Sequence, residues 1–179
     1  MQPKMIKIAV VEDNEIMADK IKKILLNALA LLQIKDSEYQ LDTYYDGESV
    51  LASGIDYDIS FIDVDLGSGI DGFEVGRKMN EIYKVKPLLV VLTNFTDRGE
   101  DSSDLRAYWY LTKSSIEAKL HPVATSAIKV VIPEGTIIKV NGKSAFVHYN
   151  WTVKSSKKEK FDTKSLQPVV ANPVIMRVW

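Results

Sequence analysis

The stretch Phe61-Ile62-Asp63-Val64-Asp65-Leu66 ends an apolar run that begins at Ile59, and it places acids where that run stops. A short apolar run of this kind reads as a strand. Two further runs end in the same manner. Ile8-Ala9-Val10-Val11 precedes Glu12-Asp13, and Leu88 to Leu92 precedes Thr93. Trp109 to Leu111 leads to Lys113. Three acids, a hydroxyl and a lysine therefore stand at the ends of strand-like segments. In an open parallel sheet, ligands bind at the carboxyl ends of the strands. Clustered carboxylates suit a hard divalent cation such as Mg2+, which prefers oxygen ligands.

Outward from these runs the pattern alternates. Met5 to Val11 reads as a first strand. Asn14-Glu15 starts a long helix, with Met17, Ile21, Ile24, Ala28 and Leu32 at helical spacing. Tyr39 to Tyr45 reads as a second strand, Asp46-Gly47 as a turn and Glu48 to Ala52 as a short helix. Ile59 to Val64 is the third strand, and Asp71-Gly72 opens a helix bearing Phe73, Gly76, Met79 and Tyr83. Pro87 precedes the fourth strand, Leu88 to Leu92. Asp97 to Asp104 is polar and acidic, which predicts a short or irregular helix. Trp109 to Leu111 is the fifth strand, and the next helix runs from Ser114 toward Ile128. Pro122 lies within it, and proline costs about 3 kcal/mol in a helix interior, so a kink or a stop near His121 is expected. Five strand–helix alternations predict a parallel sheet covered on both faces, with right-handed crossovers.

Composition narrows the possible functions. The chain has no cysteine, which excludes disulfides and thiolate metal sites. No run approaches the roughly 20 apolar residues of a membrane helix, and the N-terminus lacks a secretory pattern. A cytoplasmic protein is the expectation. The net charge of −1 hides an asymmetry. Residues 123–179 hold nine of the 23 basic residues and three of the 24 acids, leaving fourteen against twenty-one in residues 1–122. Opposite signs suggest two units, 1–122 and 123–179, the second a candidate for nucleic acid.

The motifs Val10-Val11-Glu12-Asp13-Asn14, Phe61-Ile62-Asp63, Asp71-Gly72-Phe73-Glu74, Leu92-Thr93 and Tyr110-Leu111-Thr112-Lys113 occur in that order. In order and spacing they resemble the receiver domain of bacterial two-component response regulators. The resemblance implies a flavodoxin-like (βα)5 fold with strand order 2-1-3-4-5. It implies that Asp63 accepts a phosphoryl group from a histidine kinase with Mg2+. Asp13 and Asp63 would hold the metal, Glu12 would contribute directly or through water, and the carbonyl of Asp65 would add a ligand. Lys113 and Thr93 would each contact a phosphoryl oxygen. Tyr110 would change rotamer with activation, coupled to Thr93. Such a chain is no enzyme beyond its own phosphorylation and dephosphorylation. Three departures stand out. The loop after Asp63 is one residue longer than is common and lacks proline, Ser114 stands where proline is typical, and Asn94 replaces a small residue.

From Pro133 the texture becomes all-β. Gly135 to Val140 and Ser144 to Tyr149 alternate around Asn141-Gly142, a strong hairpin signal. Trp151 to Val153, Lys160 to Thr163 and Val174 to Trp179 are further strand candidates. Phe161-Asp162-Thr163-Lys164-Ser165-Leu166 and Met176-Arg177-Val178-Trp179 weakly resemble a LytTR-type DNA-binding domain. The residues after 122 are too few for a whole domain of that kind. Either it is incomplete here or this is a different small β module, such as an SH3-like barrel. Lys154, Lys157, Lys158 and Lys160 are the first candidates for DNA phosphate contacts. His148, Tyr149 and Trp151 are candidates for stacking or for a small core. A protein partner for the β half, and a receiver that works without phosphorylation, are the rival readings. The resemblance also implies a homodimer through the face of the fourth helix and fifth strand. The β half has too few acids and histidines for an evident catalytic cluster.

Overall fold

The computed structural model describes residues 5–94, 105 and 107–132, together with the backbone of three strands beyond them. Five strands alternate with helices along the first part. They are β1 (Ile6–Val11), β2 (Tyr39–Tyr44), β3 (Ile59–Asp63), β4 (Leu88–Thr93) and β5 (Trp109–Thr112). All pair in parallel, in the order β2-β1-β3-β4-β5. This is the flavodoxin-like receiver order. The register sets Val11 beside Ile62 and Asp63 beside Leu92, so the ends of the central strands lie level.

The helices are α1 (Glu15–Leu31), α2 (Gly47–Ala52), α3 (Gly72–Ile82) and α4 (Ile116–Val131). The first three start on side-chain caps. Asn14 accepts from the Met17 amide at 3.0 Å, Asp46 from Ser49 at 2.6 Å and Asp71 from Glu74 at 2.8 Å. Each cap satisfies a backbone donor that the helix itself leaves open.

Alternation along the strands divides the core into two layers. Ile8, Val10, Phe61, Val90, Leu92 and Leu111 pack with α1 and α4. Ala9, Val11, Ile62, Leu89 and Val91 pack on the other face with Val50 of α2 and Phe73, Val75 and Met79 of α3. Fully burying one such aliphatic side chain stabilises by about 1.5–3 kcal/mol. In α1 the buried stripe is Ala18, Ile21, Leu25, Ala28 and Leu29, with Leu32 at its end. Met17 and Ile24, which share the expected helical spacing, are only partly buried.

Of the two outcomes expected at Pro122, a kink or a stop, the stop does not occur: α4 continues as an α-helix through Pro122 to Val131. The reason is burial. Leu120, Val123, Ala124, Ala127 and Ile128 are buried against α1 and the sheet, while Pro122 is exposed. Packing on both sides of the proline outweighs its missing donor. The helix also begins at Ile116 rather than Ser114, after a 3-10 turn over Lys113–Ser115.

Three further strands, β6 (Ile137–Val140), β7 (Lys143–His148) and β8 (Val174–Val178), form an antiparallel sheet in that order. Val140 pairs with Lys143, the register that a two-residue Asn141-Gly142 turn predicts. The helix expected at Asp97 to Asp104 and the strands expected at Trp151 to Val153 and Lys160 to Thr163 lie outside the described residues. No helix among the described residues is long and apolar enough to cross a membrane.

Candidate functional site

Each residue of the pocket is delivered by a strand end. Glu12 and Asp13 follow β1, Asp63 ends β3, Thr93 ends β4, and Lys113 follows β5. Parallel pairing brings all of them to one edge of the sheet. Oxygens of Glu12, Asp13 and Asp63 lie within 4.8 Å of one another. Glu12 and Asp63 are buried, while Asp13 faces solvent.

Lys113 ties the buried pair together. Its Nζ donates to Asp63 Oδ2 at 2.5 Å and to Glu12 Oε1 at 2.8 Å. Asp63 Oδ1 accepts from the Asp65 amide at 3.3 Å. Burial pushes the Asp63 and Glu12 carboxyls above the usual range, and Lys113 only partly offsets this. Burial also disfavours the charged form of Lys113, but its hydrogen bonds to Asp63 and Glu12 outweigh that and raise its pKa.

These residues fit a hard cation on two grounds. Among the described residues, three carboxylates gather around one ammonium. Glu12 Oε2 is buried and accepts no hydrogen bond among the described residues. A buried carboxylate oxygen without a donor is costly, and a divalent cation would supply what it lacks.

Behind the pocket, Thr93 pairs in register with Thr112 and is buried. Tyr110 pairs with Val91 and so lies on the same sheet face as Thr93, but it is 40% exposed. Asp65 is exposed in the loop after β3. Lys154, Lys157, Lys158 and Lys160 fall outside the described residues, and so do the side chains of His148, Tyr149 and Trp151.

Two contributors enter the site through contacts that the sequence pattern does not foresee. Gly72 lies against Asp63 so closely that a β-carbon there would stand 1.9 Å from the Asp63 carbonyl oxygen. Glu48 reaches from α2 to the loop after β3, where its Oε1 accepts from the Ile70 amide at 3.1 Å. The aspartate–glycine pair reads in the sequence as a helix start and as part of a motif, and Glu48 as a helix residue, neither as a contact of the pocket.

Sheet order, capped helices and an acidic pocket with a bridging lysine together define a flavodoxin-like receiver fold. Its neighbours among solved structures are receiver domains of response regulators, which supports a place in two-component signalling. The N-terminal domain of a response regulator/sensory box/GGDEF three-domain protein from Carboxydothermus hydrogenoformans is 26% identical, covering 69% of this chain and 94% of that one, with a TM-score of 0.56. The response regulator TrrA from Thermotoga maritima, in complex with Mg2+-BeF, is 25% identical over 69% of this chain and 99% of its own, with a TM-score of 0.53. A CheY-like receiver from Methylobacillus flagellatus shares the fold at 24% identity, over 69% and 99% of the two chains, with a TM-score of 0.55. Neither a family model nor a curated protein matches the chain.

Proposed function

We propose that this chain is a phosphorylation-dependent response regulator with Asp63 as its phosphoacceptor. The observation that carries the reading is Lys113 Nζ, held between the buried Asp63 and Glu12 at the carboxyl edge of the sheet. A carboxylate there can act as nucleophile. An Asp63 oxygen bonds to phosphorus as the bond from phosphorus to a phosphohistidine nitrogen breaks. The imidazole released on the kinase keeps the electron pair of that bond. The transferring group spreads charge over its equatorial oxygens, so the site must supply cations and donors. Lys113 meets one oxygen and the Thr93 hydroxyl another.

Asp13, Asp63 and the Asp65 carbonyl would hold Mg2+, with Glu12 directly or through water. The metal supplies charge neutralisation for the transferred group. Glu12 and Lys113 keep the acceptor oxygen oriented. Tyr110, exposed on the same sheet face as Thr93, follows the threonine as it turns toward the phosphoryl group. That biases a pre-existing equilibrium of the β5 edge. Trp109 and Tyr110 are both exposed on that edge strand, a surface for a second copy. The residues beyond α4 form the output, a basic β-rich module that binds DNA through Lys154, Lys157, Lys158 and Lys160. The charge balance of residues 123–179 supports that part. The chain works in the cytoplasm, beside its kinase partner.

The test is incubation of the full chain with acetyl phosphate and MgCl2, read by intact mass. Wild type gains one phosphoryl group and Asp63→Asn gains none. An unmodified wild type, or equal modification of both, overturns the reading. DNA binding by the full chain should weaken steeply as salt is raised. Salt-independent binding, or none, would move the output to a protein partner.

A further inference from the structure

The loop from β3 to α3, residues 64–71, passes close to Asp13 on one limb and is held by Glu48 on the other. On the pocket side Gly67 takes φ 71°, and a β-carbon there would stand 3.2 Å from Asp13 Oδ2. On the far side Gly69 takes φ 102°, and a β-carbon there would stand 2.5 Å from Glu48 Oε1. Both values lie where side chains are strained. The next residue, Ile70, donates its amide to the same Glu48 oxygen at 3.1 Å. Its side chain lies over Gly47, where a β-carbon would meet Ile70 Cγ1 at 2.8 Å and Val75 Cγ2 at 2.4 Å. Glu48 itself starts from a fixed backbone, because Asp46 accepts from both the amide and the hydroxyl of Ser49 at 2.6 and 2.7 Å. Asp65, earlier in the same loop, is anchored at its own end by its amide, which donates to Asp63 Oδ1 at 3.3 Å.

We propose that Glu48 is a positioning residue for the acidic pocket, clamping Gly69 and Ile70 so that the Asp65 carbonyl is already placed for a divalent cation. The inference rests on the metal reading given above and adds a residue from a different element, 22 positions before Ile70. Mg2+ demands near-ideal geometry. A ligand on a free loop must be ordered when the ion binds, and that ordering subtracts from affinity. A loop without proline has no ring to restrict it, and the Glu48 carboxylate supplies the restraint instead. The oxygen acceptor, rather than the charge, does the positioning, so glutamine should replace glutamate and alanine should not.

The experiment compares the full-length wild type with Glu48→Gln and Glu48→Ala. Calorimetric titration with MgCl2 gives affinity, and amide hydrogen exchange reads Ile70 directly. Glu48→Ala should bind Mg2+ about three- to tenfold more weakly, the range of one lost hydrogen bond. Its Ile70 amide should exchange faster. Glu48→Gln should match wild type in both. Unchanged exchange in Glu48→Ala, faster exchange without an affinity loss, or a Glu48→Gln as weak as Glu48→Ala overturns the proposal, as does a wild type that takes up no Mg2+. A wild type that binds Mg2+ but accepts no phosphoryl group from acetyl phosphate sinks the phosphoacceptor reading and leaves the Glu48 clamp standing.

Discussion

Lys113 Nζ stands 2.5 Å from Asp63 Oδ2, although the two residues are 50 positions apart in sequence. Neither is far into water, at 13% and 1% side-chain exposure. The lysine is therefore the resident counter-ion of two buried acids, Asp63 and Glu12. Several outcomes depend on that arrangement.

Removing the counter-ion should be costly. Lys113→Met leaves two buried carboxylates facing one another with no cation. Breaking a buried pair in this way destabilises by about 3–5 kcal/mol. Urea denaturation should show that loss, and saturating MgCl2 should recover part of it. A variant as stable as wild type in metal-free buffer would mean that Lys113 does not offset these charges.

The raised pKa values of Asp63 and Glu12 fix the sign of a pH effect. An acid whose folded pKa exceeds its unfolded value holds its proton longer in the folded state. That favours the folded, metal-free protein as pH falls toward the folded pKa, and the advantage is lost above it. Mg2+ must displace the same protons. Its affinity should therefore decline on acidification from neutral pH, beginning above the ordinary carboxylate range. Calorimetric titrations at mildly acid and neutral pH measure this, and a flat profile would contradict it.

Gly72 should not tolerate a side chain. A β-carbon there would stand 1.9 Å from a backbone oxygen, that of Asp63, which cannot swing away as a flexible side chain can. Overpacking typically costs about 1–3 kcal/mol. Gly72→Ala should lower the unfolding free energy from urea denaturation by at least that much and weaken Mg2+ binding, because relief of the clash must displace Asp63 or the start of α3.

Pro122→Ala should stabilise. The helix already runs through this position, and alanine restores the missing donor. The gain should approach about 2 kcal/mol, somewhat under the full interior penalty of proline, because proline also restricts the unfolded chain. Thermal denaturation would read it, and a loss of stability would show that the proline geometry is needed.

Much of this was legible in the sequence, because its strongest signal is local. An apolar run ending in an acid or a lysine marks a buried strand and what it carries to its end. Four such runs placed Glu12, Asp13, Asp63, Thr93 and Lys113 on one edge, where they stand. Contacts set by tertiary packing were not legible. The Glu48–Ile70 hydrogen bond and the approach of Gly72 to Asp63 depend on how α2 and α3 seat on the sheet, and no periodicity encodes that. Pro122 left a kink or a stop open for a related reason. Its local cost is fixed, but whether a helix ends there depends on the apolar side chains beyond it, such as Ala127 and Ile128.

The unbroken α4 has a mechanical consequence. The turn that carries Lys113 feeds directly into a helix of 16 residues. At the usual rise that is a rod about 24 Å long. Tilting it by about 5° at the Lys113 end would sweep Val131 through about 2 Å. Were the helix to tilt as a rigid rod, a small displacement at the Lys113 turn would be larger at Val131.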